Sequence, residues 1–246
     1  MLYTAIVRRN HSYCLLPAAK GENMFYKNRS FIAVIGDIRE SRTLEHRRKV
    51  QEHLETVLKE LNESYSDDIA AKFLITLGDE FQGLLFSGKN LLKMIERIKI
   101  ELYPVTFRFG IGIGPITTDI HPEMALGADG PAFYHARSAI QYLKENESKK
   151  KSVLADICFK SEEENCSEER LLNTVFSLLC ALEHTWTDRQ REIIWDMLIH
   201  QDGQSKTASR AGISQASVNR ALSFGSYYTY EKAIKEINTI IEEISL

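Results

Sequence analysis

Two rhythms of apolar and polar positions run along the chain. Residues 31–38, FIAVIGDI, are apolar almost throughout, the pattern of a strand buried on both faces. The next segment, 43–65, repeats Val50, Leu54, Val57, Leu58 and Leu61 at three- and four-residue steps, which predicts a helix with one apolar stripe. IAAKFLITL (69–77) and FQGLLF (81–86) read as two strands joined by a very short turn, hence antiparallel neighbours. Residues 91–102 predict a second helix, with Leu92, Ile95, Ile98 and Leu102 on one side. VTFRFGIGIGPI (105–116) predicts a glycine-rich fourth strand.

The resulting order, β-α-β-β-α-β, predicts an α+β fold of the ferredoxin-like, split-βαβ kind, with both helices on one sheet face. A short helix over 134–145 and a strand over 152–159 complete this part, and GADGPAF (127–133) reads as a turn. Five glutamates between 162 and 169, with almost nothing apolar, mark a linker or an exposed helix start. Beyond them, 170–186 reads as a strongly apolar helix followed by three or four more. The expected organisation is a nucleotide-handling domain over 24–160, a linker over 161–169 and an all-α domain over 170–246.

Residues 1–23 have no sustained period and read as a translated leader or a disordered extension. KGENM back-translates to a purine-rich stretch like a ribosome-binding site, which makes Met24 the expected start.

Composition narrows the class. The 246 residues are 43% hydrophobic and 26% charged, ordinary for a globular chain, and the net charge of −3 excludes a uniformly basic surface. No apolar run reaches the roughly 18–20 residues that span a bilayer, so no membrane association is expected. The four cysteines, Cys14, Cys158, Cys166 and Cys180, have no zinc-site spacing and read as reduced thiols of a cytoplasmic protein. Neither a P-loop nor a Ser-His-Asp arrangement is present, and the histidines, His121 and His135 included, show no ligand spacing.

Candidate chemistry sits at the strand ends. Gly78-Asp79 alone is a common hairpin pair, since glycine accepts positive φ and aspartate bonds its own backbone. Asp37 ends the first strand as Asp79 ends the second, and in a split-βαβ sheet those ends can converge. Asp37, Asp79 and Glu80 therefore form a candidate site for Mg²⁺ or Mn²⁺, which favour oxygen ligands and share their shell with substrate phosphates. Arg39 and Arg42 follow at a strand-to-helix turn, where phosphate binding and plain exposure are both open readings. Gly110, Gly112 and Gly114 permit close approach by either a ligand or a helix. Asp129 faces the site or only shapes its turn.

GDI after a first strand, LGDEF in a hairpin and FGIGIGPI in the next strand resemble the palm-type nucleotidyl cyclase superfamily, which includes class III adenylyl cyclases and GGDEF diguanylate cyclases. GDIRESR, LITLGDEFQGLL, RFGIGIGPITT and DGPAFYHAR together more closely resemble the SatD family of small bacterial proteins, which carries no established reaction here. The cyclase resemblance, over about 31–143, implies that Asp37 and Asp79 bind metal and that Glu80 matches the acidic residue of GGDEF domains, while Gly78 and Arg137 are candidate contacts to a nucleoside triphosphate to which no family role carries over. There are departures. Leu77 replaces the first GGDEF glycine, Ile75 stands where adenylyl cyclases place a base-reading lysine, and FYHAR lacks the Asn-x-Ala-x-Arg element. The resemblance thus supports metal and triphosphate binding more than cyclisation, and a catalytic residue is not assigned.

In the last third, Ala208, Gly212 and Val218 have the spacing of a helix-turn-helix, with Ile213 and Leu222 as further apolar positions and Ser214 as N-cap. Between 204 and 230 the charged residues are Lys206, Arg210 and Arg220, with no acid, a local sign reversal that suits the phosphates of double-stranded DNA. Gln215, Ser217, Asn219 and Arg220 are the expected polar residues of a recognition helix. The final helix carries Ala233, Ile234, Ile237, Ile240, Ile241 and Ile244 along one face, for packing or for a homodimer seam.

The expected function is a bacterial regulator that couples a metal- and nucleotide-binding domain to DNA. Two alternatives stay open: an active Mg²⁺-dependent nucleotidyl cyclase or transferase with a helical docking domain, and a DNA-binding protein whose degenerate palm serves to dimerise.

Overall fold

The computed structural model describes residues 29–41, 44–149, 155–162 and 166–245. The expected leader over 1–23, Met24 and Arg42 lie outside the described residues. Strand β1 (Phe31–Ile38) is buried along its whole length, because elements pack on both faces of the sheet it centres. Helix α1 (Arg47–Ser64) turns Leu54, Val57, Leu58 and Leu61 inward. Strands β2 (Ile69–Leu77) and β3 (Glu80–Leu85) are antiparallel neighbours around the turn Gly78-Asp79, and Gly78 takes φ 59°, a value that favours glycine. Helix α2 (Leu91–Glu101), strand β4 (Phe107–Gly114), helix α3 (Pro131–Glu147) and strand β5 (Ile157–Lys160) follow.

The mixed α+β fold holds one five-stranded sheet in the order β2-β3-β1-β4-β5. β1 pairs antiparallel with both β3 and β4, and β5 joins β4 in parallel. Each β-α-β connection, β1-α1-β2 and β3-α2-β4, therefore skips one place in the sheet. Ile32, Val34 and Ile38 pack with Leu54, Leu58, Leu92 and Ile95, so α1 and α2 share one face as expected. Phe31, Ala33 and Ile35 pack on the other face against Ala132, Phe133 and Ala136 of α3.

Helix α3 is longer than its sequence pattern indicates. Pro131 at its first turn, after Gly130, makes residues 131–133 helix rather than turn, because proline presets a helical φ and lacks only an N–H that helix starts leave unbonded. The expected strand over 152–159 is short, Ile157–Lys160, and 152–154 lie outside the described residues. The glycine alternation in β4 resolves as helix packing. A methyl at Gly110 would overlap the Ala136 carbonyl oxygen, and one at Gly112 the Ala132 carbonyl oxygen.

Helices α4 (Ser167–His184), α5 (Asp188–His200), α6 (Gln204–Ala211), α7 (Gln215–Phe224) and α8 (Tyr227–Ser245) complete the chain. Thr187 and Gln190 form a capping box that starts α5. Helix α8 lies against α2, α4 and α7, and its Ile234, Ile237 and Ile241 are buried within this chain. One apolar cluster extends from the α1/α2 face of the sheet through Leu172, Phe176 and Trp186 to Leu222 and Ile241. Among the described residues, no helix is long and apolar enough to cross a membrane.

Candidate functional site

Strand register builds the site. Asp37 stands opposite Glu80 on β3 and opposite Arg108 on β4, which sets the three side chains in a row on the face that α3 covers. Asp37 is 5% exposed, and both its oxygens are engaged: Arg108 Nη1 lies 2.5 Å from Oδ2, and Lys144 Nζ 2.8 Å from Oδ1. Such close pairing offsets the cost of burying a carboxylate. Lys144 and Glu147, one helical turn apart on α3, both reach this row, since Glu147 accepts from Arg108 Nε at 2.9 Å.

Glu80 takes up protons more readily than an ordinary glutamate. Burial is the main cause and repulsion from Asp37 the next, while Lys144 and Arg137 act the other way and Asp79 adds to the rise. Asp79 lies at the hairpin tip, where its Oδ2 accepts from Ser41 Oγ at 2.5 Å and its carbonyl from the Ile38 N–H at 3.0 Å. The Gly78 carbonyl accepts from Gln51 Nε2. Arg137 is exposed about two helical turns before Lys144 on the same face and has no hydrogen-bond or ion-pair partner among the described residues. Arg39 is turned away into the fold: it forms ion pairs with Glu147 and Asp156 at 2.9 Å each and donates a hydrogen bond to the Ala155 carbonyl at 2.8 Å.

The structure thus brings Asp37 and Glu80 together, with Asp79 beside them. Three hard carboxylates suit a divalent cation in kind. Their present arrangement gives Asp37 to Arg108 and Lys144, and among the described residues no three His, Cys, Asp or Glu side chains gather around one point that holds an ion. Asp129 belongs to its own loop, where its Oδ2 accepts from Tyr134 Oη at 3.0 Å and its backbone carbonyl from the Thr117 hydroxyl at 3.1 Å. His135 Nδ1 is 2.8 Å from the Ile113 carbonyl.

Arg108, Lys144 and Glu147 have no part in the sequence-based expectation. Arg108 carried a signal, as the one charged residue within the apolar run FRFGIGIG. The position of Lys144, seven residues after Arg137 on one helix, was the other.

A second constellation lies at α6 and α7. Gly212, at φ 63°, ends α6, and Ser214 Oγ accepts from the Ser217 N–H to start α7. Ala208, Val218 and Leu222 are buried between the helices, with Ile213 packed beside them. Gln215, Asn219 and Arg220 are exposed, and Ser217 is half-buried beside Ser214, 2.9 Å between hydroxyls. Lys206 is exposed, whereas Arg210 is clamped by Asp196 and Asp202, each within 2.7 Å. That clamp joins α6 to α5 and uses the guanidinium that the sequence offers to DNA.

One comparison with known proteins bears on the SatD-like motifs. The family model described as SatD family matches residues 31–241. The chain belongs to the SatD family. That match takes in both the carboxylate row and the α6–α7 pair. A search of curated proteins finds no match.

Proposed function

We propose that this SatD-family chain is a bacterial regulatory protein. On this reading its sheet is a ferredoxin-like palm that binds a nucleoside triphosphate with Mg²⁺ or Mn²⁺, and α6–α7 is a helix-turn-helix that binds double-stranded DNA. The observation that carries it is the row Glu80, Asp37, Arg108, with Asp79 beside it and the α3 cations Lys144 and Arg137 above it. Carboxylates and cations so interleaved suit a ligand that is itself an ion pair, a polyphosphate with its metal. The bound divalent ion supplies charge neutralisation at the phosphates. Lys144, now paired with Asp37, and the exposed Arg137 are the cations that would hold the phosphate oxygens of such a ligand. Arg108 keeps Asp37 oriented and Glu147 in place.

The DNA half rests on the exposed Gln215, Asn219, Arg220 and Lys206, presented by two helices whose shared core is filled. Melting of the full chain with ATP or GTP and Mg²⁺ tests the first half. Ligand at 100 times Kd stabilises by about 2.7 kcal/mol through mass action. The expected rise in Tm is lost in Asp37→Ala plus Asp79→Ala and reduced in Arg137→Ala; a full shift in the double variant sinks the metal site. Product analysis in the same mixtures separates a sensor from an enzyme. For the DNA half, retention of a fragment from the gene's own operon at low salt is expected, and no retention of it or of genomic DNA counts against it.

A further inference from the structure

The carboxylate row is joined to the C-terminal helices by an unbroken run of buried charges. From Asp37 it passes to Arg108 at 2.5 Å, to Glu147 at 2.9 Å, to Arg39 at 2.9 Å and to Asp156 at 2.9 Å. Lys99 of α2 continues it, 3.4 Å from Asp156 and 2.7 Å from Glu183 of α4. Tyr230 of α8 closes it, with its hydroxyl 2.8 Å from Glu183 and 2.8 Å from Glu96. The side chains of Arg39, Arg108, Glu147, Asp156, Lys99 and Glu183 are each no more than 20% exposed.

From Asp37 to Glu183 the charges alternate in sign, so each buried ion is held by the next, and the neutral Tyr230 hydroxyl bonds the last carboxylate. Out of water, removing one partner leaves its neighbour uncompensated, which is costly, and the neighbour then pairs more closely on its other side. The run crosses the sheet end, α3, the segment before β5, α2, α4 and α8, so it ties elements that the chain places far apart. Residues in one such network are energetically coupled where separated sites are additive.

We propose that this run of ion pairs is a coupling device: a change in the pairing of Asp37 alters how firmly α4 and α8 dock on α2, and with them the setting of α6 and α7. The inference draws its physiological meaning from the nucleotide reading of the same site, since a cation that takes Asp37 from its partners acts at the first link. Its physical content is independent of any ligand. Helix α7 contacts α8 directly, so the last link reaches the helices proposed to touch DNA. The network is contiguous from Asp37 to Tyr230, and coupling along it is measurable.

The test is amide hydrogen exchange by mass spectrometry on the full chain, with no metal or nucleotide added. Asp37→Asn is expected to speed exchange at least about threefold in peptides of α8 and α4, relative to wild type. Asp79→Asn, a carboxylate beside the row but outside the run, is expected to leave those peptides unchanged. In an Arg39→Met background, which severs the run, Asp37→Asn is expected to add nothing. Equal exchange in Asp37→Asn and wild type overturns the proposal. So does an equal effect of Asp79→Asn, or an undiminished effect of Asp37→Asn in the Arg39→Met background. If Asp37→Asn fails to fold, Glu147→Gln breaks the next link near the end of α3, and unchanged α8 exchange there overturns it equally. Because no ligand is present, this outcome is separate from the melting test of nucleotide binding.

Discussion

Gly112 of β4 lies directly beneath the Ala132 carbonyl of α3, with no room between them for a methyl group. The same contact brings Arg137 and Lys144, further along α3, over the end of the sheet where Asp37 and Glu80 stand. Gly112→Ala meets backbone rather than a flexible side chain, so the helix itself must move. Overpacking of this kind costs roughly 1–3 kcal/mol, and urea denaturation is expected to show a loss in that range. A loss under about 0.5 kcal/mol would mean that α3 is not packed so closely.

The elements that the hydrophobic rhythm announces are those that fold. Phe31–Ile38 is β1 to the residue, and Leu54, Val57, Leu58 and Leu61 are the buried stripe of α1, because a residue's side of a strand or helix follows from its period alone. The opposition of Asp37 and Glu80 was legible for the same reason, as the consequence of a hairpin beside a first strand. The cations were not. Arg108 and Lys144 lie 71 and 107 residues from Asp37, and no local pattern records an ion pair across such a distance. Arg210 shows the complementary failure: its sequence neighbours carry no acid, yet Asp196 and Asp202 reach it from α5 and the turn after it. Sequence windows report charge along the chain, and folding decides charge in space.

Lys144 competes with any cation for Asp37. Its side chain is 41% exposed, so the pair is solvated on one side and contributes little stability, about 1 kcal/mol or less. Lys144→Met is therefore expected to fold normally and to bind Mn²⁺ about two- to fivefold more tightly in the absence of nucleotide, the ratio that such an energy gives. Calorimetric or paramagnetic titration of the metal reads this directly. Unchanged or weaker Mn²⁺ binding shows that Lys144 does not guard the carboxylates.

Arg220 and Arg210 are both arginines of the α6–α7 pair, but they separate by role. Arg220 is exposed on α7, and Arg220→Ala is expected to leave Tm unchanged, weaken DNA retention and lower the salt slope by about one. Arg210 holds Asp196 and Asp202, whose carboxyls it keeps below the usual carboxylate range. Arg210→Ala is expected to lower Tm and to weaken DNA retention only through the loosened α5–α6 contact. The salt dependence of retention, measured for both variants by filter binding, distinguishes them. An Arg210→Ala protein with wild-type Tm and a reduced salt slope reverses the assignment.

Glu96 gives the fold a pH dependence of definite sign. Burial raises its carboxyl from the ordinary 4.5 to about 7, and Glu183 adds to the rise, while Lys99 and Tyr230 oppose it. The Tyr230 hydroxyl lies 2.8 Å from both Glu96 and Glu183 but has one proton to give. Protonation of Glu96 relieves its repulsion with Glu183. Below pH 4.5 the folded and unfolded chains both hold this proton, and the stabilisation is complete. Between 4.5 and 7 the unfolded chain has released it and the folded chain has not, so stability falls as pH rises, by on the order of 3 kcal/mol. Above 7 the folded chain releases it too and the loss levels off. Glu96→Gln keeps the shape without the titration, so its stability relative to wild type is expected to improve from pH 5 to about pH 7 and to level off above it in urea denaturation. Parallel pH profiles for the two proteins would show that Glu96 remains ionised in the fold.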